Sequence, residues 1–199
     1  MQQPAGDVPR RLIGAFRGVT IEIVQVGAVG AEVELAVAGM FTHEVDCSVP
    51  VGGLRELDEA LSGALTRLRA DAIFTGEFGE TIALAMPRPP VKAHVVLIVG
   101  LGDPQAWRPT MMTDTVRLVV REAVRRQATS VAFAPGLLDS GLQPVRLAGT
   151  SEAMMLGLIE GLEERGPGQL RSWSFCSGAD GFVSREDELR LAFDQVQDE

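Results

Sequence analysis

The apolar run that ends in two glycines, VVLIVGLGDP at residues 95–104, constrains the fold of this chain more than any other stretch. A continuous apolar run is typical of a strand that is covered on both faces, as in a parallel sheet. The glycines and the proline that follow end the strand in a turn. The run therefore predicts an α/β fold, and it raises the question of whether the turn holds a phosphate group.

Strand and helix patterns alternate along the rest of the chain. Residues 19–26 and 31–37 alternate polar and apolar side chains on either side of a glycine-bounded turn, which predicts a hairpin. The other strands are predicted over residues 40–47, 72–74, 81–86, 94–99, 130–135 and 171–176, and helices over residues 53–69, 113–127, 149–163 and 184–197. This order predicts a three-layer α/β/α sandwich on a mixed sheet, parallel where helices cross over and antiparallel at the hairpin.

The length of 199 residues predicts one domain. The first residues are rich in proline, glycine and charge, so residues 1–14 are predicted to be a flexible N-terminal arm and residues 15–199 a single domain. The sequence contains no apolar run of signal-peptide or membrane-spanning length. We therefore expect a cytoplasmic protein without a membrane partner, in which Cys47 and Cys176 are reduced thiols.

The charge balance bears on the choice of partner. Aspartate and glutamate together number 27, lysine and arginine 18, and the formal net charge is −9. An acidic surface repels the phosphates of nucleic acids and anionic lipids. We therefore expect no nucleic-acid partner.

The glycines that end the apolar run match neither of the common nucleotide fingerprints. A dinucleotide fingerprint needs a third glycine where Gln105 stands, and the phosphate loop G-x-x-x-x-G-K-[ST] is absent. A tight turn accounts for the glycines. Ligands of open α/β sheets nevertheless bind at the carboxyl ends of strands, so two segments are candidate ligand-binding positions. They are Gly100, Leu101, Gly102 and Asp103 after one buried strand, and Ala134, Pro135 and Gly136 after the next.

The run HEVDC at residues 43–47 contains four side chains of metal-ligating type. On a strand, His43 and Cys47 would point to one face, and Glu44 and Asp46 to the other. A tetrahedral site needs ligands that converge, and the sequence has no second cluster of histidine or cysteine. We therefore expect no metal site.

No pattern in the sequence nominates a catalytic residue or a cofactor. Neither cysteine stands at a recognisable helix start, where a thiol becomes reactive. The acidic segments 56–59 and 186–188 are predicted to lie on solvated helix faces. The segment TGEFGET at residues 75–81 is predicted to form a turn or hairpin, because its two glycines can supply positive φ angles.

Three segments taken together resemble the N-terminal domain of leucyl aminopeptidases. They are LSGALTRLRADAIFTGEFGETIAL at 61–84, HVVLIVGLGDP at 94–104 and MMLGLIEGL at 154–162. That family has a similar helix, a similar F-x-G-x-x-G-E-T turn, a strand ending in G-L-G, and a late helix similar at Glu160-Gly161. The resemblance spans roughly residues 15–165.

The resemblance implies a macro-domain-like fold, similar to modules that bind ADP-ribose. In the peptidases this domain is non-catalytic and takes part in the oligomer. Their two-metal chemistry belongs to a separate domain with an N-T-D-A-E-G-R type motif, and this sequence contains no such motif. The resemblance therefore carries no catalytic or metal-binding residue over to this chain.

Three functional hypotheses follow from these observations. The first is a non-catalytic interaction, regulatory or assembly module, for which we expect a protein partner or self-association. The second is a macro-type module that binds ADP-ribose or a nucleotide at the strand ends. The third is an accessory part of a metal-dependent aminopeptidase that acts with a separate catalytic chain. Fold analogy supports all three, and a fold alone does not decide between functions.

Overall fold

A computed structural model describes residues 8–46, 52–137, 142–179 and 181–197. Within these residues the strands are β1 Arg10–Phe16, β2 Val19–Val24, β3 Leu35–Phe41, β4 Thr81–Ala85, β5 Val95–Gly102, β6 Ser130–Ala134 and β7 Ser172–Cys176. The α-helices are α1 His43–Asp46, α2 Gly52–Ala60, α3 Ala64–Ala70, α4 Met111–Arg125, α5 Thr150–Arg165 and α6 Phe182–Gln197. A short 3₁₀ helix spans Pro144–Leu147.

The strands of the described residues form one mixed sheet in the order β1-β2-β7-β6-β3-β5-β4. The strands β2, β7, β6, β3 and β5 run parallel, while β1 and β4 pair antiparallel at the two edges. Parallel strands need helical crossovers, and these helices cover both faces of the sheet. The predicted three-layer α/β/α sandwich on a mixed sheet is confirmed.

Two hydrophobic clusters occupy the two faces of the sheet, and the central strands contribute to both. Along β5, Leu97 and Val99 belong to the cluster that also contains side chains of α4, α5 and α6. The alternate residues Val96 and Ile98 belong to the cluster that also contains side chains of α2 and α3. Because side chains alternate across a strand, a run that is apolar at every position is buried on both faces. The interpretation of the apolar run is therefore confirmed.

The hairpin predicted from residues 19–26 and 31–37 is wrong. Strand β2 pairs with β1 and β7, whereas β3 pairs with β5 and β6 in the centre of the sheet. Every residue of β3 is buried, and the strand begins only at Leu35. The alternating pattern came from the segment before it, where the Glu34 carboxylate accepts a hydrogen bond from the backbone N–H of Thr129.

Strand β1 also corrects the predicted N-terminal arm. Residues 10–14, which we assigned to the arm over residues 1–14, lie in this strand and pair with β2. Residues 1–7 lie outside the described part of the chain. Strand β1 contains Arg10, Arg11 and Gly14, and such charged and flexible residues are typical both of an edge strand and of a flexible arm.

Two further differences arise from carboxylates that bond to the backbone. The strand predicted over 40–47 ends at Phe41, whose N–H donates to the buried Glu44 carboxylate at 2.7 Å. The helix predicted over 53–69 is interrupted between α2 and α3. Asp58, predicted to lie on a solvated helix face, is buried and accepts hydrogen bonds from the N–H groups of Leu65 and Thr66. The strand predicted over 72–74 does not form.

Candidate ligand-binding site at the strand ends

A cavity of about 450 Å³ opens at the carboxyl ends of the parallel strands. Its wall includes residues that follow β2, β6 and β7, together with the start of α2 and one residue of α6. The lining residues are Gln25, Val26, Gly27, Ala28, Ala38, Gly52, Gly53, Leu54, Glu56, Ala134, Pro135, Gly136, Leu137, Cys176, Ser177, Gly178, Ala179 and Arg185.

The position of this cavity follows from the topology of the sheet. From β3 the chain proceeds to β4 and β5 on one side, and then crosses to β6 and β7 on the other side. The order of the strands therefore reverses between β3 and β6, which is the place where open α/β sheets form a ligand crevice. Gly39 of β3 permits close packing here, since an added Cβ would lie 2.7 Å from the carbonyl oxygen of Pro135.

The cavity wall consists mostly of backbone and small side chains. Among its described lining residues, Glu56 and Arg185 carry charge. The helix α2 begins at Gly52 beside the cavity, so its first N–H groups contribute partial positive charge. Such a wall is suited to a ligand that bonds to backbone groups. Arg185 is the cation on this wall, and its Nε lies 3.9 Å from a carboxylate oxygen of Glu188.

Cys176 also lines the cavity, and its surroundings make it a poor nucleophile. Burial, reinforced by the negative charge of Glu22, raises the pKa of the Cys176 thiol to about 12. The thiol is therefore protonated at neutral pH, whereas the thiolate is the reactive form. Cys47 lies outside the described residues.

Gly100 and Gly102, for which the sequence predicts a tight turn after the strand, both lie within β5, so that prediction is wrong at these two positions. Both glycines pack with the TGEFGET turn. A Cβ added at Gly100 would lie 2.0 Å from the carbonyl oxygen of Glu77. Gly79 N–H donates to the carbonyl of Gly100 at 3.0 Å, and Gly102 N–H donates to the carbonyl of Gly76 at 2.9 Å. Gly100 is therefore required because another backbone approaches the end of β5. Gly102 instead has a φ angle of +79°, which favours glycine, and a Cβ added there would lie 3.1 Å from the Cβ of Phe78.

The TGEFGET segment is a turn, as predicted, and Glu80 fixes its shape. One oxygen of the Glu80 carboxylate accepts hydrogen bonds from the N–H and hydroxyl of Thr75 and from the N–H of Gly76, at 2.8–2.9 Å. Gly76 and Gly79 have φ angles of +79° and +80°. The sequence revealed the turn, but it gave no signal that the turn packs on Gly100.

The structure thus separates the two predicted ligand-binding segments. Ala134, Pro135 and Gly136 line the cavity, whereas Gly100, Leu101, Gly102 and Asp103 are not among its lining residues. Other lining residues, such as Arg185 and Gly178, were missed because they come from elements distant in sequence. Binding of a ligand at either segment stays a prediction.

The HEVDC segment differs from the strand that we assumed. His43 to Asp46 form the short helix α1, in which the Glu44 carboxylate is engaged by the N–H of Phe41. Among the described residues, no group of three or more His, Cys, Asp or Glu side chains is placed to hold a metal ion. In the same part of the chain, no helix has the length and apolar character needed to cross a membrane.

Comparison with known proteins places these features in a family. The sequence profile of the cytosol aminopeptidase family, N-terminal domain, matches residues 37–165. A probable cytosol aminopeptidase of Picosynechococcus sp. is 27% identical over 128 residues, which are 64% of this chain and 25% of the relative. A second, from Cyanothece sp., is 28% identical over 101 residues, which are 50% of this chain and 20% of the relative. The chain therefore spans about a quarter or less of the length of these relatives.

Solved structures show the same fold. A mutant of tomato leucine aminopeptidase superposes with a TM-score of 0.68 and 21% identity, over 87% of this chain and 35% of that chain. An Oceanobacillus iheyensis macrodomain with MES bound gives a TM-score of 0.72 at 12% identity, over 96% of this chain and 100% of that chain. The Trypanosoma brucei macrodomain in complex with ADP-ribose gives 0.64 at 19% identity, over 89% of this chain and 73% of that chain. The expected macro-domain-like fold is thereby confirmed.

Proposed function

Because the chain belongs to the cytosol aminopeptidase family through that family's N-terminal domain, we propose that it acts as a non-catalytic module for interaction and assembly. The observation that carries the proposal is the structural use of its buried carboxylates. Glu44 and Asp58 both accept hydrogen bonds from backbone N–H groups. Carboxylates held in this way shape the chain and are not directed at a substrate.

The thiol of Cys176 supports the same proposal. Its raised pKa, about 12, leaves too little thiolate for nucleophilic catalysis at neutral pH. The metal-dependent chemistry of the peptidases requires several converging carboxylates around a pair of ions. Within the described ranges, the buried carboxylates Glu44 and Asp58 lie on different elements and accept hydrogen bonds from backbone N–H groups.

The test is an assay of the pure protein for hydrolysis of leucine anilides and leucyl peptides, with and without Zn²⁺ or Mn²⁺. We expect release of leucine to stay at the level of the buffer. The matched control is Glu44→Gln, which keeps the shape of the side chain and removes its charge. Because we assign the Glu44 carboxylate to structure, this variant should release the same amount of leucine as the unaltered protein. Robust metal-dependent release that co-purifies with the protein through several columns would overturn the proposal.

A second candidate function is binding of ADP-ribose or a nucleotide, and the cavity favours it. The cavity lies where the order of the strands reverses, and its volume of about 450 Å³ is within the usual range for small-molecule sites. A macrodomain of the same fold has been solved in complex with ADP-ribose. The partial positive charge at the start of α2, together with the guanidinium of Arg185, would attract a diphosphate.

Calorimetric titration with ADP-ribose and ADP tests this second candidate. In the variant Gly178→Leu a side chain is added at the cavity wall, where a Cβ meets no atom within 4 Å. Asp103→Ala alters the other predicted segment, where the Asp103 carboxylate accepts a bond from the N–H of Gln105. Binding that is lost in Gly178→Leu and kept in Asp103→Ala would assign the ligand to the cavity. A flat titration of the unaltered protein would remove the candidate.

We also propose that the protein works in the cytoplasm. The proposal rests on the similarity to proteins named probable cytosol aminopeptidases. Fractionation of the source cells with an antibody against the protein should recover it in the cytosolic fraction, and recovery with the membranes would contradict it.

A further inference from the structure

The two edge strands of the sheet differ in their protection against pairing with another chain. Strand β1 carries Arg10 and Arg11, its register shifts between Leu12 and Gly14, and the carbonyl of Leu12 accepts a hydrogen bond from Arg190 at 2.9 Å. Charges and bulges of this kind are the usual means of blunting an edge. Strand β4, with the sequence TIALA, contains no charge and no proline, and its register with β5 is regular from end to end.

The hydrogen bonds at the two ends of β4 identify the backbone groups on its open side. Gly100 N–H donates to the carbonyl of Glu80, and Met86 N–H donates to the carbonyl of His94, each at 2.8 Å. Because bonded pairs alternate in an antiparallel ladder, every second residue between these ends also bonds to β5. The residues Thr81, Ala83 and Ala85 therefore direct their N–H and C=O groups to the open side, where no strand of the described residues lies.

We propose that β4 pairs with β4 of a second copy of this chain, antiparallel about a two-fold axis at Ala83. The pattern is self-complementary, since Ala83 then faces its own copy while Thr81 faces Ala85. Each outward residue donates one hydrogen bond and accepts one, which joins the two sheets into a continuous one. The short side chains of the alanines offer little obstruction to the second backbone.

The charges around β4 favour a second copy as the occupant. The turn before the strand carries the exposed Glu77, and the turn after it carries the exposed Arg88. An antiparallel two-fold pairing brings the acidic end of each copy to the basic end of the other. The same arrangement brings the exposed side chains of Phe78 (42%) and Met86 (87%) from opposite copies together at each end. Aromatic, methionine and arginine side chains are the types enriched in protein interfaces.

This inference rests on the proposed function, because it names the partner in assembly as a second copy. Sedimentation velocity over a range of protein concentrations tests it. We expect the unaltered protein to sediment as a dimer that dissociates on dilution. Ala85→Lys places a charge on the open edge and should shift the dissociation to concentrations at least tenfold higher. The matched control is Leu12→Lys, which places a lysine on the opposite, already charged edge and should leave the dimer intact.

A charge exchange keeps the test decisive should Ala85→Lys fail to fold. Arg88→Glu alone should weaken the dimer, and Glu77→Arg together with Arg88→Glu should restore it. The inference would be overturned if the unaltered protein were a monomer at all concentrations. It would also be overturned if neither Ala85→Lys nor the charge exchange changed the concentration at which the dimer dissociates. A monomer that hydrolyses no leucyl substrate would overturn this inference and leave the proposed function standing. A dimer that hydrolyses them would do the reverse.

Discussion

Replacing Gly100 with alanine tests the conclusion that glycine is required at this position of β5 because another backbone packs against it. Gly100 lies inside a buried strand, and its φ angle is not in the left-handed region. By backbone preference alone, alanine should therefore stabilise the strand by about 0.5–1 kcal/mol relative to glycine. The packing argument predicts the opposite sign, so the two explanations are separated by one measurement.

The geometry sets the size of the packing penalty. The new Cβ would lie 2.0 Å from the carbonyl oxygen of Glu77 and 2.8 Å from the carbonyl group of Gly76, both of which are backbone. The TGEFGET turn must move away from β5, which weakens or breaks the hydrogen bonds from Gly79 N–H to the carbonyl of Gly100 and from Gly102 N–H to the carbonyl of Gly76. Overpacking costs about 1–3 kcal/mol, and each bond about 1 kcal/mol. We expect a net loss of about 3 kcal/mol in the free energy of unfolding.

Urea denaturation followed by circular dichroism measures this loss, and thermal melting should show a drop of roughly 6–12 °C for a chain of this size. The matched control is Gly27→Ala, since an added Cβ at Gly27 meets no atom within 4 Å and its φ angle is not positive. We expect the control to change stability by less than about 1 kcal/mol. A Gly100→Ala variant as stable as the unaltered protein, or more stable, would refute the packing explanation.

Three further predictions concern groups whose partners are defined. Asp58→Ala should lower the free energy of unfolding by about 2–3 kcal/mol in urea titrations, because the N–H groups of Leu65 and Thr66 and the hydroxyl of Thr66 lose their acceptor. Asp58→Asn should recover part of this loss. An unchanged urea midpoint in both variants would contradict the capping role of Asp58. The raised pKa of Cys176, about 12, predicts slow alkylation by iodoacetamide at pH 8 in the folded protein and fast alkylation in urea. Peptide mass spectrometry measures both rates, and equal rates would refute the prediction. Hydrogen bonding from Arg125 holds the pKa of Glu122 below its ordinary value of 4.5, so its stabilisation is present above that pH and is lost as the pH falls through the lowered value. Solvent screening limits this stabilisation to about 0.5 kcal/mol. Glu122→Gln should therefore reduce the difference in the free energy of unfolding between pH 7 and pH 3 by about 0.5 kcal/mol. An unchanged difference between the two pH values would contradict this prediction.

The parts of the fold that could be predicted from sequence are those in which burial dominates. Helix α4 and the start of strand β5 were predicted close to their observed bounds, because their apolar residues follow the periods of a helix and a strand. The end of β5 was predicted at Val99, three residues before its observed end at Gly102, because the glycines were interpreted as a turn. Strand β3 was misplaced, since the polar residues before Leu35 alternate like a surface strand although the strand itself is buried on both faces. Periodicity reports which side chains are buried, and it does not report which strand lies alongside.

The break between α2 and α3 shows a second limit of periodicity. The leucines on both sides continue one helical stripe, and the buried residues Leu54, Leu57 and Leu65 all belong to the same hydrophobic cluster. The chain nevertheless turns at Ser62 and Gly63, which have φ angles of 57° and 78°. Asp58 bonds to the N–H of Leu65 and thereby caps a new helix. A side chain that caps a helix seven residues later leaves no periodic signal.

The same limit decides what can be inferred about the candidate site. The sequence places Gly100–Asp103 and Ala134–Gly136 at the ends of buried strands, and the expectation that such ends bind ligands applies equally to both. The structure distinguishes them by what approaches each strand end. The backbone of the TGEFGET turn packs against Gly100 at a distance that excludes a Cβ. The end of β6 instead faces a cavity at the point where the order of the strands reverses.

A glycine at a strand end therefore has two explanations that a single sequence cannot separate: close approach of a ligand, or close approach of another part of the chain. Both explanations require a residue without a Cβ, so both predict glycine at the same position. In this protein the backbone of Glu77 stands where a ligand at Gly100 would have to stand. We therefore expect a ligand that binds at the strand ends to lie beside Pro135 and Gly136, which line the cavity. Loss of binding in Gly178→Leu and its retention in Asp103→Ala is the result that this reasoning requires.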